Sequence, residues 1–363
     1  MRTTLKYVAS AACLLGLIAP RVSAQTATWY ISTYLSEMLV WDEASEEIID
    51  RIQMNRPIPN RVQLNEAKSL MYVGDASGQH IQVVDIAGRE VIDEITLTHD
   101  SVVVRIDGFA PHPSDARAII LAKSYTKLID RYSVEGPFLL DYDIESKQVT
   151  DTLPWPGGEI RERVNFRFSP DGESLYFFTD DIIAVDATSF EEVDRWELSQ
   201  PLEPGLGRAN FGTNSNTYDD PGVATSLIRM QDPVHGRAMM VIASVHLSEK
   251  DVEFFSIGPP QPLSEFVIAP GGEKGYALYS APQTSEYEFW EFDLVDKRVA
   301  RRVRFEGRAR MGLEASADGT KLYVHVAGNT IDVYDTETLT YQHTVEFDED
   351  MTLGNMAIIP GDA

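Results

Sequence analysis

The stretch FRFSPDGESLYFF, from Phe166 to Phe178, places two short apolar runs on either side of a Pro-Asp-Gly turn. Asp-Gly between alternating runs supplies the positive φ that a tight hairpin needs. A second copy reads EASADGTKLYVHV, from Glu314 to Val326. After the first copy a third run ends in Val185 and Asp186, and a polar turn leads to a fourth strand. The stretch therefore predicts a unit of four antiparallel strands.

The same unit recurs along the chain, with a period of about 45 to 50 residues that is typical of a β-propeller. The copies are recognised by their turns and by the apolar-Asp pair that ends the third strand. Further turns lie at Asn65 to Ala67, Pro113 to Asp115, Pro270 to Gly272 and Ala317 to Gly319, and further pairs at Val84-Asp85, Leu140-Asp141, Phe292-Asp293 and Tyr334-Asp335. A degenerate copy, blade five, surrounds residues 232–241.

The two ends of the sequence each hold half of one more blade. Residues 355–362 (NMAIIPGD) form an inner strand and its turn, whereas residues 28–52 begin with later strands and carry Trp41-Asp42. Joining the halves removes the free sheet edges that an open array would expose. We expect an all-β, seven-bladed β-propeller of four-stranded blades, with the closing blade shared by the N- and C-terminal segments and with residues 25–363 forming a single domain.

Residues 1–24 have the features of a cleaved signal peptide. Basic Arg2 and Lys6 precede an apolar stretch, and Val22-Ser23-Ala24 provides a small-x-small cleavage site. Cys13, the only cysteine, lies inside the apolar stretch rather than at its end, which disfavours a lipoprotein. We expect a periplasmic or secreted protein without a membrane span and, once residues 1–24 are removed, without disulfides. The net charge of −26 predicts no binding to nucleic acid.

Two blades are longer than the repeat requires. Blade three has an extra segment from Lys123 to Phe138, and blade five has a longer one from Gln200 to about Ser226. Long segments of this kind in compact domains usually bind or cover something. We expect the partner surface of the protein at these two insertions.

With these features the chain resembles the YVTN-type seven-bladed propellers, and among them the β chain of quinohaemoprotein amine dehydrogenase. The resemblance covers nearly the whole mature chain and includes the SPDG and ADG turns, the YDTETL at Tyr334 to Leu339, the two insertions and the split closing blade. It implies a periplasmic structural platform whose partner chains carry a quinone and haem. This chain has no CxxCH motif, so we expect no cofactor of its own.

Alignment of the repeats selects one position in each inner strand, five residues before the turn proline. We expect these residues to form a ring near one mouth of the channel, where they would be either solvated channel residues or ligands of a small polar molecule or ion. The expected ligand-binding members are Asn60, Asn165, Arg229, Glu265 and Asn355, and glycines Gly108 and Gly312 occupy the other two positions.

The sequence contains no local metal-binding motif. Its histidines show no HxxH or HExxH spacing, and its acidic turns do not match an EF-hand loop. The propeller hydrolases, including lactonases, nevertheless hold a divalent ion with residues far apart in sequence, for which Glu265, Asn165 and Asn355 are the candidates. No GxSxG motif is present, so the sequence identifies no catalytic residue and no substrate.

A basic stripe runs from Arg298 to Arg310 in this acidic chain. Arg302 and Arg304 lie on one face of the predicted strand, where they would bind either an acidic partner or acids of the same chain. With Asp219 and Asp220 of the fifth-blade insertion they form the candidate partner surface. Our leading hypothesis is an exported, non-catalytic scaffold, and the alternative is a stand-alone metal-dependent hydrolase or a small-ligand binder at the channel.

Overall fold

The computed structural model describes residues 25–198, 209–210, 216–231, 234–281, 283–308, 310–352 and 355–361. The predicted signal peptide lies outside these residues, as does much of the fifth-blade insertion. The described residues form seven antiparallel sheets of four strands each, which confirms the predicted seven-bladed propeller. None of the helices described there is long and apolar enough to cross a bilayer.

The strands are numbered along the chain. Blade one contains β1 (Ala27–Ser32), β2 (Glu37–Asp42) and β3 (Glu47–Gln53); blade two β4 (Pro59–Leu64), β5 (Leu70–Asp75), β6 (His80–Asp85) and β7 (Glu90–Thr96); blade three β8 (Val102–Pro111), β9 (Arg117–Lys127), β10 (Tyr132–Asp143) and β11 (Gln148–Leu153). A 3₁₀ turn, Pro156–Gly158, precedes blade four.

The remaining blades follow in order. Blade four contains β12 (Asn165–Phe168), β13 (Ser174–Phe178), β14 (Ile182–Asp186) and β15 (Glu192–Trp196); blade five β16 (Ala209–Asn210), β17 (Val223–Gln231), β18 (Ala238–His246) and β19 (Asp251–Gly258); blade six β20 (Leu263–Ile268), β21 (Lys274–Ala281), β22 (Glu286–Asp293) and β23 (Arg298–Arg304); blade seven β24 (Met311–Ala315), β25 (Lys321–Val326), β26 (Thr330–Asp335) and β27 (Tyr341–Glu346); and β28 (Met356–Pro360) follows.

Blade one closes the ring as the sequence predicts. Its inner strand is β28, which pairs antiparallel with β1 so that Ala27 lies opposite Pro360. The carboxylate of Glu43, a buried residue, accepts hydrogen bonds from the backbone N–H of Ala27 (2.9 Å) and of Ala317 (3.1 Å). Because Ala317 belongs to the turn of blade seven, Glu43 ties the closing blade to its neighbour across the seam.

The core is divided into seven apolar clusters, one between each pair of neighbouring blades in the part of the chain that the structure describes. At the closing seam Trp29, Trp41 and Tyr323 meet edge to face, with ring centroids 4.9 to 5.7 Å apart. Such aromatic contacts add to the free energy gained by removing the rings from water. The seam is therefore packed as a core and not as a loose junction.

The aspartate that ends the third strand has a local role. In blade four, Asp186 Oδ1 accepts hydrogen bonds from the backbone N–H of Thr188 (3.0 Å) and Ser189 (2.7 Å), which stabilises the turn into the fourth strand. In blade three this position belongs to Asp143, which accepts from Ser146 N–H at 2.7 Å, and not to the predicted Asp141. Asp141 instead forms an ion pair with Arg117 at 3.2 Å. The prediction was two residues early because two apolar-Asp pairs follow one another here, Leu140-Asp141 and Tyr142-Asp143, and the second one ends the strand.

Candidate functional site

A cavity of about 900 Å³ occupies the central channel. Inner-strand residues of several blades line it, because the inner strands of a propeller surround its axis. Among the predicted ring residues, Asn165, Arg229, Glu265 and Asn355 all line this cavity, as does Gly108. The alignment of the repeats therefore brought together residues that are far apart in sequence.

Asn60 is not at the ring position. The N–H of Asn65 donates to Leu70 O, as the N–H of Ser169 donates to Ser174 O, so Asn65 is the equivalent of Ser169. Four residues before each of them lie Arg61, opposite Gly74, and Asn165, which are therefore equivalent. Asn60 is the extra residue of a β-bulge in β4, and its Oδ1 is buried without a hydrogen-bond partner among the described residues. The prediction of Asn60 was wrong by one residue because it aligned Asn65 with Pro170, whereas the matching turn hydrogen bonds make Asn65 the equivalent of Ser169.

Two other ring positions also differ from the alignment. Arg229 lies on β17, the second strand of its blade, because the short β16 is the inner strand and pairs Asn210 with Arg229. The pairing of β28 with β1 assigns the equivalent position to Ala357, two residues after Asn355. Since side chains of a strand alternate, a shift of two residues keeps Asn355 on the channel side of the chain.

At the two glycine ring positions, neighbouring side chains fill the space. A Cβ on Gly312 would lie 2.0 Å from the His325 ring, and a Cβ on Gly108 would lie 2.9 Å from Phe166. Glycine at 312 therefore allows the imidazole of His325 to lie against the inner strand, and His325 lines the cavity. Burial lowers the pKa of His325 to about 4, so the ring is neutral at pH 7.

The carboxylates of Glu265 and Glu314 form what we call the acidic pole of the cavity. Burial raises the pKa of Glu265, although the side chain is accessible to solvent inside the channel. Glu314, enclosed by protein apart from the cavity it lines, has a pKa raised to about 8 by burial and then by repulsion from Glu265. Neither carboxylate has a hydrogen bond or ion pair within the described ranges.

Glu265 owes its orientation to a second bulge. It has φ 55°, in the left-handed region, and the register of β20 with β21 shifts between Ser264 and Val267. A bulge of this type re-aims a side chain out of the regular alternation.

On the wall of blade four, Arg167 forms the cationic pole. One of its Nη atoms donates to Val223 O at 3.2 Å, and burial lowers its pKa in spite of Asp219 and Glu66 nearby. Asp219 does not form an ion pair with Arg167; its Oδ2 accepts hydrogen bonds from the backbone N–H of Asn216 (3.1 Å) and Thr225 (3.0 Å). Among the described residues, Arg167 has no carboxylate within ion-pair distance.

The segment 216–222, which we call the floor segment, covers the cavity at the C-terminal ends of the inner strands. Asn216 Oδ1 accepts from Ile268 N–H of β20 at 3.2 Å, and Tyr218 Oη donates to Ala315 O of β24 at 3.1 Å. The described end of the fifth-blade insertion thus binds to blades six and seven across the channel. This part of the insertion covers one end of the cavity, and covering is one of the two roles that the length of the insertion predicts.

The proposed partner-surface residues have different surroundings. Asp219 is half-buried in the floor segment, whereas Asp220 is exposed. The Arg302 guanidinium lies 3.6 Å from the centre of the Trp290 ring, and Arg304 is close to Glu286 (3.3 Å) and Glu288 (3.5 Å). Both arginines therefore make intramolecular contacts, and their binding to a partner stays a prediction.

The sequence did not identify Arg167, Glu314 and His325. The signal was nevertheless present for two of them, because Arg167 and Glu314 lie two residues after the ring positions Asn165 and Gly312 and hence on the same strand face. In the part of the chain that the structure describes, no three His, Cys, Asp or Glu residues are grouped as metal ligands. Glu265, Asn165 and Asn355 as ligands of a hydrolase metal stay a prediction.

No family model matches the chain, and no curated protein matches it. Solved structures do match. AztD from Citrobacter koseri in its apo form is 14% identical, with a TM-score of 0.56 over 93% of this chain and 99% of that one. A protein of unknown function from Desulfotomaculum acetoxidans is 13% identical, with a TM-score of 0.55 over 92% and 98%. At these identities the similarity shows the shared propeller fold alone.

Proposed function

We propose that the protein is a binding propeller that holds a small polar ligand in the channel cavity. The observation that supports this most is the cavity itself: about 900 Å³, within the usual size range of ligand sites, with one end covered by the floor segment. Enclosed ionisable groups without ion-pair partners among the described residues, such as Glu314 and Arg167, occur preferentially at functional sites because burying them costs free energy.

Obstructing the cavity tests this proposal. Asn355 lines it and is exposed within it, and its side chain makes no hydrogen bond among the described residues, so Asn355→Trp should fill space without disturbing packing. We expect small molecules that co-purify with the parent protein, detected by native mass spectrometry, to fall at least about tenfold in Asn355→Trp. Asn55→Trp, at an exposed position outside the cavity, is the matched control. Equal occupancy in parent and Asn355→Trp would contradict the proposal.

We further propose export to the periplasm or the medium, on the evidence of residues 1–24. N-terminal sequencing of the protein from its native source tests this, since a mature chain should begin at Gln25.

A second candidate function is a platform for a partner chain. The β9–β10 hairpin exposes Ile129 fully, together with Tyr132 (61%) and Val134 (56%). Large apolar side chains grouped at the surface commonly mark protein-binding sites. The partner chain of an amine dehydrogenase-like complex, with its quinone or haem, is the partner that the family resemblance suggests.

A further inference from the structure

The two poles of the cavity lie on different walls of the channel. Glu265 and Glu314 belong to the inner strands of blades six and seven, and Arg167 belongs to the inner strand of blade four. In a ring of seven blades, blade four is separated from blades six and seven by at least one intervening blade. The cavity therefore presents negative and positive groups that face it from separate directions.

The acidic pole is suited to an ammonium group. Two neighbouring carboxylates that repel each other gain most from a cation that donates several hydrogen bonds, and a primary ammonium donates three. His325, neutral and without a hydrogen-bond partner among the described residues, lines the same cavity and offers a ring nitrogen as a further acceptor. Phe266, next to Glu265, also lines the cavity and adds an aromatic ring of the kind that attracts an organic cation.

The cationic pole is suited to a carboxylate. A guanidinium carries five N–H donors in a planar fork, and only the hydrogen bond to Val223 O is made to a described residue. Asp219 lies nearby but forms no ion pair with Arg167, and its Oδ2 accepts hydrogen bonds from two backbone N–H groups. A ligand carboxylate would pair with the fork through two parallel hydrogen bonds.

We propose that the cavity binds a zwitterion with separated charges, such as an ω-amino acid or a short peptide, whose ammonium contacts Glu265 and Glu314 and whose carboxylate contacts Arg167. This inference rests on the proposed function and specifies its ligand class. A cavity of about 900 Å³ has room for such an extended molecule.

Three probes of equal chain length separate the contributions: 6-aminohexanoate, hexylammonium and hexanoate, with binding followed by NMR of the full mature chain. We expect 6-aminohexanoate to bind at least about tenfold more tightly than either singly charged probe. Arg167→Met should reduce 6-aminohexanoate to the affinity of hexylammonium and leave hexylammonium unchanged. Glu314→Gln with Glu265→Gln should reduce it to the affinity of hexanoate.

Matched controls lie on the outside of the ring. Glu346→Gln on β27 and Arg308→Met are exposed positions and should leave all three affinities unchanged. Circular dichroism and thermal unfolding confirm that each variant is folded before binding is compared.

Equal affinity for 6-aminohexanoate and either singly charged probe would overturn the proposal of a zwitterionic ligand. Binding of 6-aminohexanoate that Arg167→Met does not affect would also overturn it. If no probe binds but Asn355→Trp still loses a co-purified molecule, the zwitterion is wrong and the channel remains the binding site. If no probe binds and Asn355→Trp changes nothing, both proposals fail.

Discussion

At the scale of the residue, the carboxyl group of Glu314 has no ion-pair partner among the described residues, and its pKa is raised. A carboxyl group with a pKa near 8 spends much of its time protonated at pH 7, because the enclosed site disfavours the charge and Glu265 repels it. A ligand ammonium would reverse this balance by stabilising the carboxylate. Ionised Glu314 therefore lowers the free energy of unfolding relative to neutral Glu314.

We expect the cost of Glu314 to appear in the pH dependence of stability. Its pKa is 4.5 in the unfolded reference and about 8 in the fold, so between these values the folded chain binds more protons and the free energy of unfolding falls as pH rises. Glu314→Gln removes this contribution. The variant should match the parent below pH 4.5 and be more stable above pH 8, by on the order of 2 kcal/mol.

Urea unfolding across this pH range measures the effect. Glu346→Gln, exposed on β27 of the same blade, should follow the parent at every pH. Parallel pH profiles for the parent and Glu314→Gln would show that Glu314 is not enclosed in the way described.

At the scale of the element, the bulges of the inner strands decide which side chains enter the channel. β4, β8 and β20 each carry a register shift near the ring position, at Asn60, at Asp107 and at Glu265 to Phe266. Strand alternation and turn spacing predicted the inner strands of every blade except the fifth, because both follow directly from residue order. They did not predict the bulges, which depend on packing against the next strand. Asn60 was chosen in place of Arg61 because blade two has Glu66 where blade four has Pro170, and the turn was aligned one residue early.

The β9–β10 hairpin carries the prediction about a partner. Replacing both Ile129 and Tyr132 by lysine should leave the melting temperature unchanged, because both side chains are already exposed to water. We expect the double variant to lose a protein chain that co-purifies with the parent from its native source. Ile92→Lys, at a 53% exposed apolar position on β7, is the control and should retain it. A parent protein that elutes as a monomer with no accompanying chain would count against the platform.

At the scale of the whole molecule, the ring and its closure could be predicted from sequence, whereas the chemistry of the channel could be predicted only in part. Repeated turns identify blades wherever they occur, and the split halves at the two ends specify how the ring closes. Arg167 and His325 approach the same cavity from different blades. That both line one cavity depends on ring geometry and on the room that Gly312 leaves, which no local pattern encodes.

Closure should tolerate a change of chain order but not the loss of a strand. Gly361 N–H donates to Thr26 O at 2.7 Å, so a short linker can join these ends, and new ends at Pro259 and Pro260, which are exposed between blades five and six, leave every strand in its blade. We expect this permutant to fold as a monomer.

Deleting residues 355–361 from the parent should cause aggregation, since β1 would become a free sheet edge. Size-exclusion chromatography and thermal unfolding compare the two; a deletion variant as stable as the parent would contradict this expectation.

The pairing of β1 with β28 also constrains how the chain is made. β1 is the first of the described strands to be synthesised and β28 is the last, so the closing sheet cannot form until all the strands between them have been made. Contacts this distant in sequence form slowly, because the entropy of closing a long loop is lost before the contacts contribute any free energy. During that interval Trp29 and its apolar neighbours cannot be buried between blades one and seven, and they stay exposed to water. The nascent chain then has its greatest need of a chaperone.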